Sequence, residues 1–300
     1  MSTARNVGLF VGLSALWGFS FPAITAGLAS LPPLLFAAFR YDLGGVALLA
    51  YLILRGREWQ PRTRTDVIAI VVAGGFLIAG GSLLFLGQQT VPSGIASILY
   101  GLIPLLTTGF AAAVLPDEPL TRRRLLGVGL GLAGVGIIAR PDPGNIFTAE
   151  LVGIGFVVTA AVSISLGSVL LRRLSPTLGI GAMTAWAMLV GGGLLHVGSF
   201  AIGERLADVT PTTVGIVSVV YLAVFASAIA YIVYFVLLAE FGPLEINLVS
   251  YVVPVFATAA GVVLLGEELT IAMFVGFGLI AGGFVVIKAR VIATELGYRA

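Results

Sequence analysis

The chain has 300 residues, of which 59% are hydrophobic and only 10% charged, with a formal net charge of +2 and a mean hydropathy of +1.11. A soluble domain of this size needs far more polar surface, since soluble chains carry roughly a quarter charged residues; a bilayer removes that need because its tails solvate apolar side chains. The absence of cysteine excludes a disulfide framework, a thiolate metal site and a thiol nucleophile, and the single histidine, His196, reads as a packed helix residue rather than a metal ligand.

Crossing about 30 Å of hydrocarbon takes about 20 helical residues. Runs of that kind fall at 7–28, 33–54, 67–88, 92–114, 124–140, 150–171, 180–203, 212–238, 245–265 and 271–288. They predict an all-α membrane protein of ten transmembrane helices. The runs are continuously apolar rather than alternating, which argues against a barrel. Short, proline-bearing connections at Pro32-Pro33, Pro61, Pro92, Pro116, Pro119, Pro141, Pro143, Pro176, Pro211 and Gly242-Pro243 make neighbours antiparallel and leave no room for a soluble domain. The first run is too long for a signal peptide and reads as a retained span.

Polar and aromatic side chains within these runs mark where a solute would sit. Ser14 and Trp17 share a face of the first run, with Phe21 and the hinge candidate Pro22 one turn on. Arg40 and Asp42 are the charges inside the second; Arg40 reads either as a structural residue that snorkels outward or as a magnet for a carboxylate. Ser82 and Phe85 follow in the third. In the fourth, Ser93, Ser97, Tyr100, Pro104 and Thr108 form one stripe, and Asn247, Ser250, Pro254 and Thr258 form another in the ninth, with Tyr251 beside them. Ser227, Tyr231 and Tyr234 share a face of the eighth run, and Ser163 and Ser165 in the sixth are compatible with the same cavity. The competing reading is that the hydroxyls bond their own helix carbonyls. Pro104 and Pro254 are further hinge candidates. No metal site, cofactor motif or P-loop is present, so ATP hydrolysis is not expected as an intrinsic activity. Nor is nucleic-acid binding, because the bases lie in short clusters between apolar runs.

Those clusters set the orientation. With the N-terminus cytoplasmic, thirteen bases face inward: Arg5, Arg55, Arg57, Arg62, Arg64, Arg122, Arg123, Arg124, Arg172, Arg173, Lys288, Arg290 and Arg299. Only Arg140 and Arg205 face outward, which predicts cytoplasmic termini.

The chain also repeats itself. EPLTRRRLLGVGLGLAG (Glu118–Gly134) and EELTIAMFVGFGLIAGG (Glu267–Gly283) match at seven of seventeen positions, among them Glu118/Glu267, Leu120/Leu269, Thr121/Thr270, Gly127/Gly276 and Gly129/Gly278. This predicts two halves, 1–141 and 142–300. Five spans is an odd number, so the second half enters from the opposite side and the repeats are inverted, as in secondary transporters. The glycines of the fifth and tenth runs give small faces for close packing, internal or within a homodimer.

With Trp17-Gly18-Phe19-Ser20-Phe21, Phe39-Arg40-Tyr41, Pro104 with Glu118-Pro119-Leu120-Thr121 and Gly127, and Pro254 with Glu267-Glu268-Leu269-Thr270 and Gly276, nearly the whole chain resembles the drug/metabolite transporter superfamily. It looks like the ten-helix, EamA-like branch, and within it most like the YddG-type amino-acid exporters. The resemblance implies an inner-membrane carrier, not an enzyme: a basket of ten helices around a central cavity that opens alternately to either side and moves amino acids or similar metabolites outward. The small multidrug antiporters of that superfamily rely on an acidic residue in the first helix. None stands there, so facilitated flow is expected over proton or cation coupling; export of drugs, lipophilic cations or nucleosides, and a passive channel, are the alternatives.

Overall fold

The computed structural model describes residues 3–115, 121–140, 148–241, 246 and 248–295, and among these no strand occurs. Helix α1 comprises Thr3–Gly18 and Ser20–Leu28, interrupted at Phe19. Three residues on, Pro22 has no N–H to offer Gly18. Helix α2 (Pro33–Leu54) begins with a proline at its first position, where a missing N–H costs nothing. Helix α3 (Arg64–Gly87) opens on a capping box, with Thr63 Oγ1 accepting from Asp66 N and the Asp66 carboxylate accepting from Thr63 N, both at 3.0 Å. Its middle, Ala73–Ala79, winds as a π-helix. Helix α4 (Ser93–Val114) breaks at Gly101-Leu102, just before Pro104.

Helix α5 (Arg122–Ala139) is capped by Thr121, and α6 (Ala149–Leu174) by Thr148. Helix α7 spans Ile180–Ala201. Helix α8 runs as Thr213–Val220, a second π-helical stretch Tyr221–Ile229, and Ala230–Phe241. Helix α9 (Val249–Leu265) holds Pro254 inside it and ends on Gly266 at φ 68°, a left-handed cap that glycine adopts without strain. Helix α10 covers Ile271–Glu295.

By length and composition seven of these helices can cross a membrane: α1, α2, α3, α4, α6, α7 and α8. The ten expected runs are helical over their described residues, and α5, α9 and α10 are not among the seven. Helix α5 carries Arg122, Arg123 and Arg124 in its first turn, α9 has 17 residues, and α10 is apolar from Ile271 through Ile287 and helical to Glu295. Large apolar side chains cover the outside: Phe200 is 85% exposed and Val263 80%, a surface suited to acyl chains.

Helix pairs meet where side chains are absent. Helix α5 packs on α10 and α2 on α7; α3 lies against α7 and α6, α8 against α2 and α1, α1 against α9, and α4 against α6 and α9. At the α5–α10 crossing, a Cβ on Gly127 would lie 2.6 Å from Gly283 O, and one on Gly134 would lie 2.7 Å from Gly276 O. Close backbone approach of this kind is how helices gain contact in lipid, where no hydrophobic drive pulls them together.

Candidate functional site

Side chains from five helices meet inside the bundle. Trp17 of α1 places its ring 5.9 Å from Tyr231 and 5.6 Å from Tyr234 of α8, and these two tyrosines stand 6.2 Å apart. Helical spacing sets this contact, since i and i+3 on α8 point the same way. Phe21, one turn beyond Trp17, meets the Tyr100 ring of α4 edge-on at 5.6 Å. Tyr41 and Phe85 bring α2 and α3 to the same place around Arg40, whose guanidinium carbon lies 4.8 Å and 6.0 Å from their ring centres.

Polar tips in this cluster bond to backbone. Trp17 Nε1 donates to Ala226 O at 3.2 Å, Tyr221 OH to Leu16 O at 2.9 Å, and Tyr100 OH to Gly81 O at 2.8 Å. Ser163 of α6 donates to Phe76 O at 2.8 Å. Ala226 and Phe76 lie in the two π-helical stretches, whose altered winding presents carbonyls to other helices.

Other expected site residues spend their hydroxyls at home. Ser14 donates to Phe10 O, Ser82 to Ile78 O, Ser97 to Gly94 O and Thr108 to Pro104 O. Ser165 donates to Ala161 O in its own helix and to Ile103 O of α4. All four of Ser14, Ser82, Ser97 and Ser165 are at most 1% exposed, so these hydroxyls relieve backbone carbonyls rather than line a wet wall. Ser227 differs: its Oγ accepts from Arg40 Nε at 3.2 Å. Tyr251 turns to Phe284 of α10, 4.8 Å away, with its hydroxyl buried and unpartnered. Ser250 is half-buried, and Asn247 lies outside the described residues, as do Glu118 and Pro119. Of the hinge candidates, Pro22 and Pro104 each follow a break, whereas Pro254 lies within one continuous helix.

Three features escaped the sequence. Arg40 does not snorkel; it is 8% exposed and points inward. His196 is not merely packed, because its Nε2 lies 2.7 Å from Asp42 Oδ2 across the α2–α7 crossing. Carboxylates also close on helix starts: Glu267 accepts from Ser93 N (2.7 Å) and Gly94 N (3.1 Å), Glu204 from Leu34 N (3.1 Å) and Leu35 N (2.9 Å), and Asp66 from Thr177 N (2.8 Å) and Leu178 N (2.9 Å). The sequence marked Glu267 only through its repeat match to Glu118, and gave no partner for any of the three.

An all-helical bundle with seven membrane-length helices, an apolar exterior and a cluster of polar and aromatic groups inside is a polytopic membrane protein. The EamA-like transporter family model matches it at residues 5–140 and again at 151–289. The chain therefore belongs to the EamA-like transporter family, within the drug/metabolite transporter superfamily. It is 31% identical over 281 residues to the uncharacterized inner membrane transporter YedA of Escherichia coli K12, covering 93% of this chain and 89% of that one. It is 29% identical over 296 residues to a probable amino-acid metabolite efflux pump of Salmonella typhimurium (95% and 92% covered). It is 28% identical over 290 residues to an S-adenosylmethionine/S-adenosylhomocysteine transporter of Chlamydia muridarum (93% and 89% covered). A crystal structure with 26% sequence identity superposes with a TM-score of 0.65 over 98% of this chain and 99% of that one.

Proposed function

We propose that this protein is a secondary transporter that exports amino acids or similar small metabolites across the inner membrane by alternating access, without ATP. The observation that carries the reading is the inward cluster of Trp17, Tyr231, Tyr234, Tyr100 and Arg40, drawn from four helices at bilayer depth. An aromatic enclosure with one fixed charge suits a modest, partly apolar solute. Two of the relatives are named for amino-acid-derived solutes, which favours that class over drugs or lipophilic cations.

The reading takes α1–α10 as ten spans, 1–141 and 142–300 as inverted halves, and both termini as cytoplasmic. The packing partners support the halves. Exchanging each helix for the one five further on turns α3–α7 into α8–α2, α1–α9 into α6–α4 and α3–α6 into α8–α1, and leaves α2–α7, α4–α9 and α5–α10 unchanged. The π-helical stretches fall in α3 and α8, and the family model matches twice, once in each half. Rocking of such halves about a shared centre would open it to one side and then the other.

The test is uptake of labelled amino acids into liposomes holding the purified protein, against protein-free liposomes, with and without a pH gradient. Saturable uptake of a subset, indifferent to the gradient, is expected. Uptake that rises linearly without saturation would make it a channel, and none for any amino acid would remove the substrate class.

A further inference from the structure

Arg40 is a buried cation with unfilled bonding capacity. It stands seven residues beyond Pro33, hence about 10 Å into α2 at 1.5 Å per residue. A guanidinium carries five N–H donors. Among the described residues its one hydrogen bond runs from Nε to Ser227 Oγ at 3.2 Å, which leaves the two terminal nitrogens without an acceptor. No described carboxylate pairs with it; Asp42, the nearest acid in sequence, is engaged with His196. The Tyr41 and Phe85 rings flank the guanidinium, with their centres 4.8 Å and 6.0 Å from its carbon, and supply no counter-charge. A buried charge without a counter-ion is costly to keep, and one so placed awaits an anion.

Packing does not call for the charge. Where α2 crosses α8, a Cβ on Gly44 would meet Ala223 O at 3.2 Å and Ser227 Cβ at 3.0 Å; where α7 crosses α3, one on Gly191 would meet Gly74 O at 2.9 Å and the Ile78 side chain. At both crossings a glycine lies against a facing backbone carbonyl. One turn before each glycine stand Arg40 and Ala187, both buried. The same crossing is thus made with Ala187 and Ile78 in one place and with Arg40 and Ser227 in the other, so the guanidinium is surplus to the scaffold.

Resting on the transporter reading, we propose that Arg40 is the anion subsite of the carrier. Its terminal nitrogens take the free carboxylate of an amino acid in a two-pronged hydrogen bond, the geometry for which a guanidinium is preorganised. Ser227 holds the guanidinium by Nε, so the fork faces the solute. The apolar remainder of the substrate lies against Trp17, Tyr231 and Tyr234. The site therefore selects against solutes that lack a free carboxylate or an equivalent anionic group.

The experiment compares each amino acid that the wild type carries with its primary amide, by uptake into liposomes and by binding to the purified protein, for the wild type, Arg40→Gln and Arg40→Lys, with thermal unfolding of all three. The wild type should bind the acid at least tenfold more tightly than the amide. Arg40→Gln should lose that preference while melting at or above the wild-type temperature, and Arg40→Lys should keep part of it. An amide carried as well as its acid, or an Arg40→Gln protein that still discriminates or that melts well below the wild type, overturns the subsite and leaves the carrier standing. If the folded wild type carries and binds neither acid nor amide, the amino-acid substrate class falls and this assignment with it.

Discussion

Asp42 and His196 set two titratable groups side by side within membrane-length helices, 2.7 Å apart and each about two-fifths exposed, with the Phe39 ring 6.0 Å from the imidazole. In lipid the consequences of removing either partner are unequal. A carboxylate that loses its partner is a more costly group to hold among acyl chains than an imidazole that loses its own. His196→Leu should therefore destabilise the protein by about 1–3 kcal/mol, the usual cost of an orphaned polar partner, and Asp42→Leu by distinctly less. The double variant should resemble Asp42→Leu rather than the sum of the two. Thermal unfolding in detergent of the four proteins of this cycle measures the coupling; additive losses would mean that the two groups do not interact. At this scale the sequence was half legible. The aromatic positions Trp17, Tyr100 and Tyr231 were readable from spacing on their own helices. The partners of Arg40, Asp42 and Glu267 were not, because each stands more than 150 residues away in the chain and only packing unites them.

Elements were the most legible level, since a bilayer demands apolar runs of a set length and prolines and glycines punctuate them. What the sequence did not disclose was the winding within runs. No residue pattern announced the π-helical stretches Ala73–Ala79 and Tyr221–Ile229, which arise where α3 and α8 offer carbonyls to Ser163 and Trp17. The glycine faces were visible, but not which glycine does what. Gly127, Gly134, Gly276 and Gly283 lie in the α5–α10 contact, whereas Gly129, Gly136, Gly278 and Gly282 meet nothing within 4 Å of an added Cβ. Gly127→Leu should thus sharply lower the yield of folded protein, because its side chain would strike Gly283 O and Ile287. Gly129→Ala on the same helix should be tolerated, and should even stabilise by roughly 0.4–1 kcal/mol by restricting the unfolded chain. Fluorescence size-exclusion profiles of the two variants decide it, and equal behaviour would dismiss the crossing as the reason for these glycines.

Across the whole molecule, carboxylates tie one proposed half to the other. Glu267, in the α9–α10 connection, closes on the first turn of α4; Glu204, after α7, closes on the first turn of α2; Asp66, at the start of α3, closes on the chain just before α7. Each places a negative group on N–H donors at or just before a helix start, where the helix dipole adds to the bond. If the halves rock, the ties at one end must break whenever that end opens. The Glu267–Ser93 tie is the sharpest place to ask, because its shorter bond is 2.7 Å and Ser93 Oγ is buried beside it without a partner. The chain has no cysteine of its own, so a pair introduced as Ser93→Cys and Glu267→Cys would react alone. In liposomes the untreated double variant should transport, a short reducible bifunctional thiol reagent should stop it, and reduction should restore the rate. A cross-linked protein that still transports at the uncross-linked rate would mean that α4 and the α9–α10 connection stay together throughout the cycle, and that any gate lies at the Asp66 end.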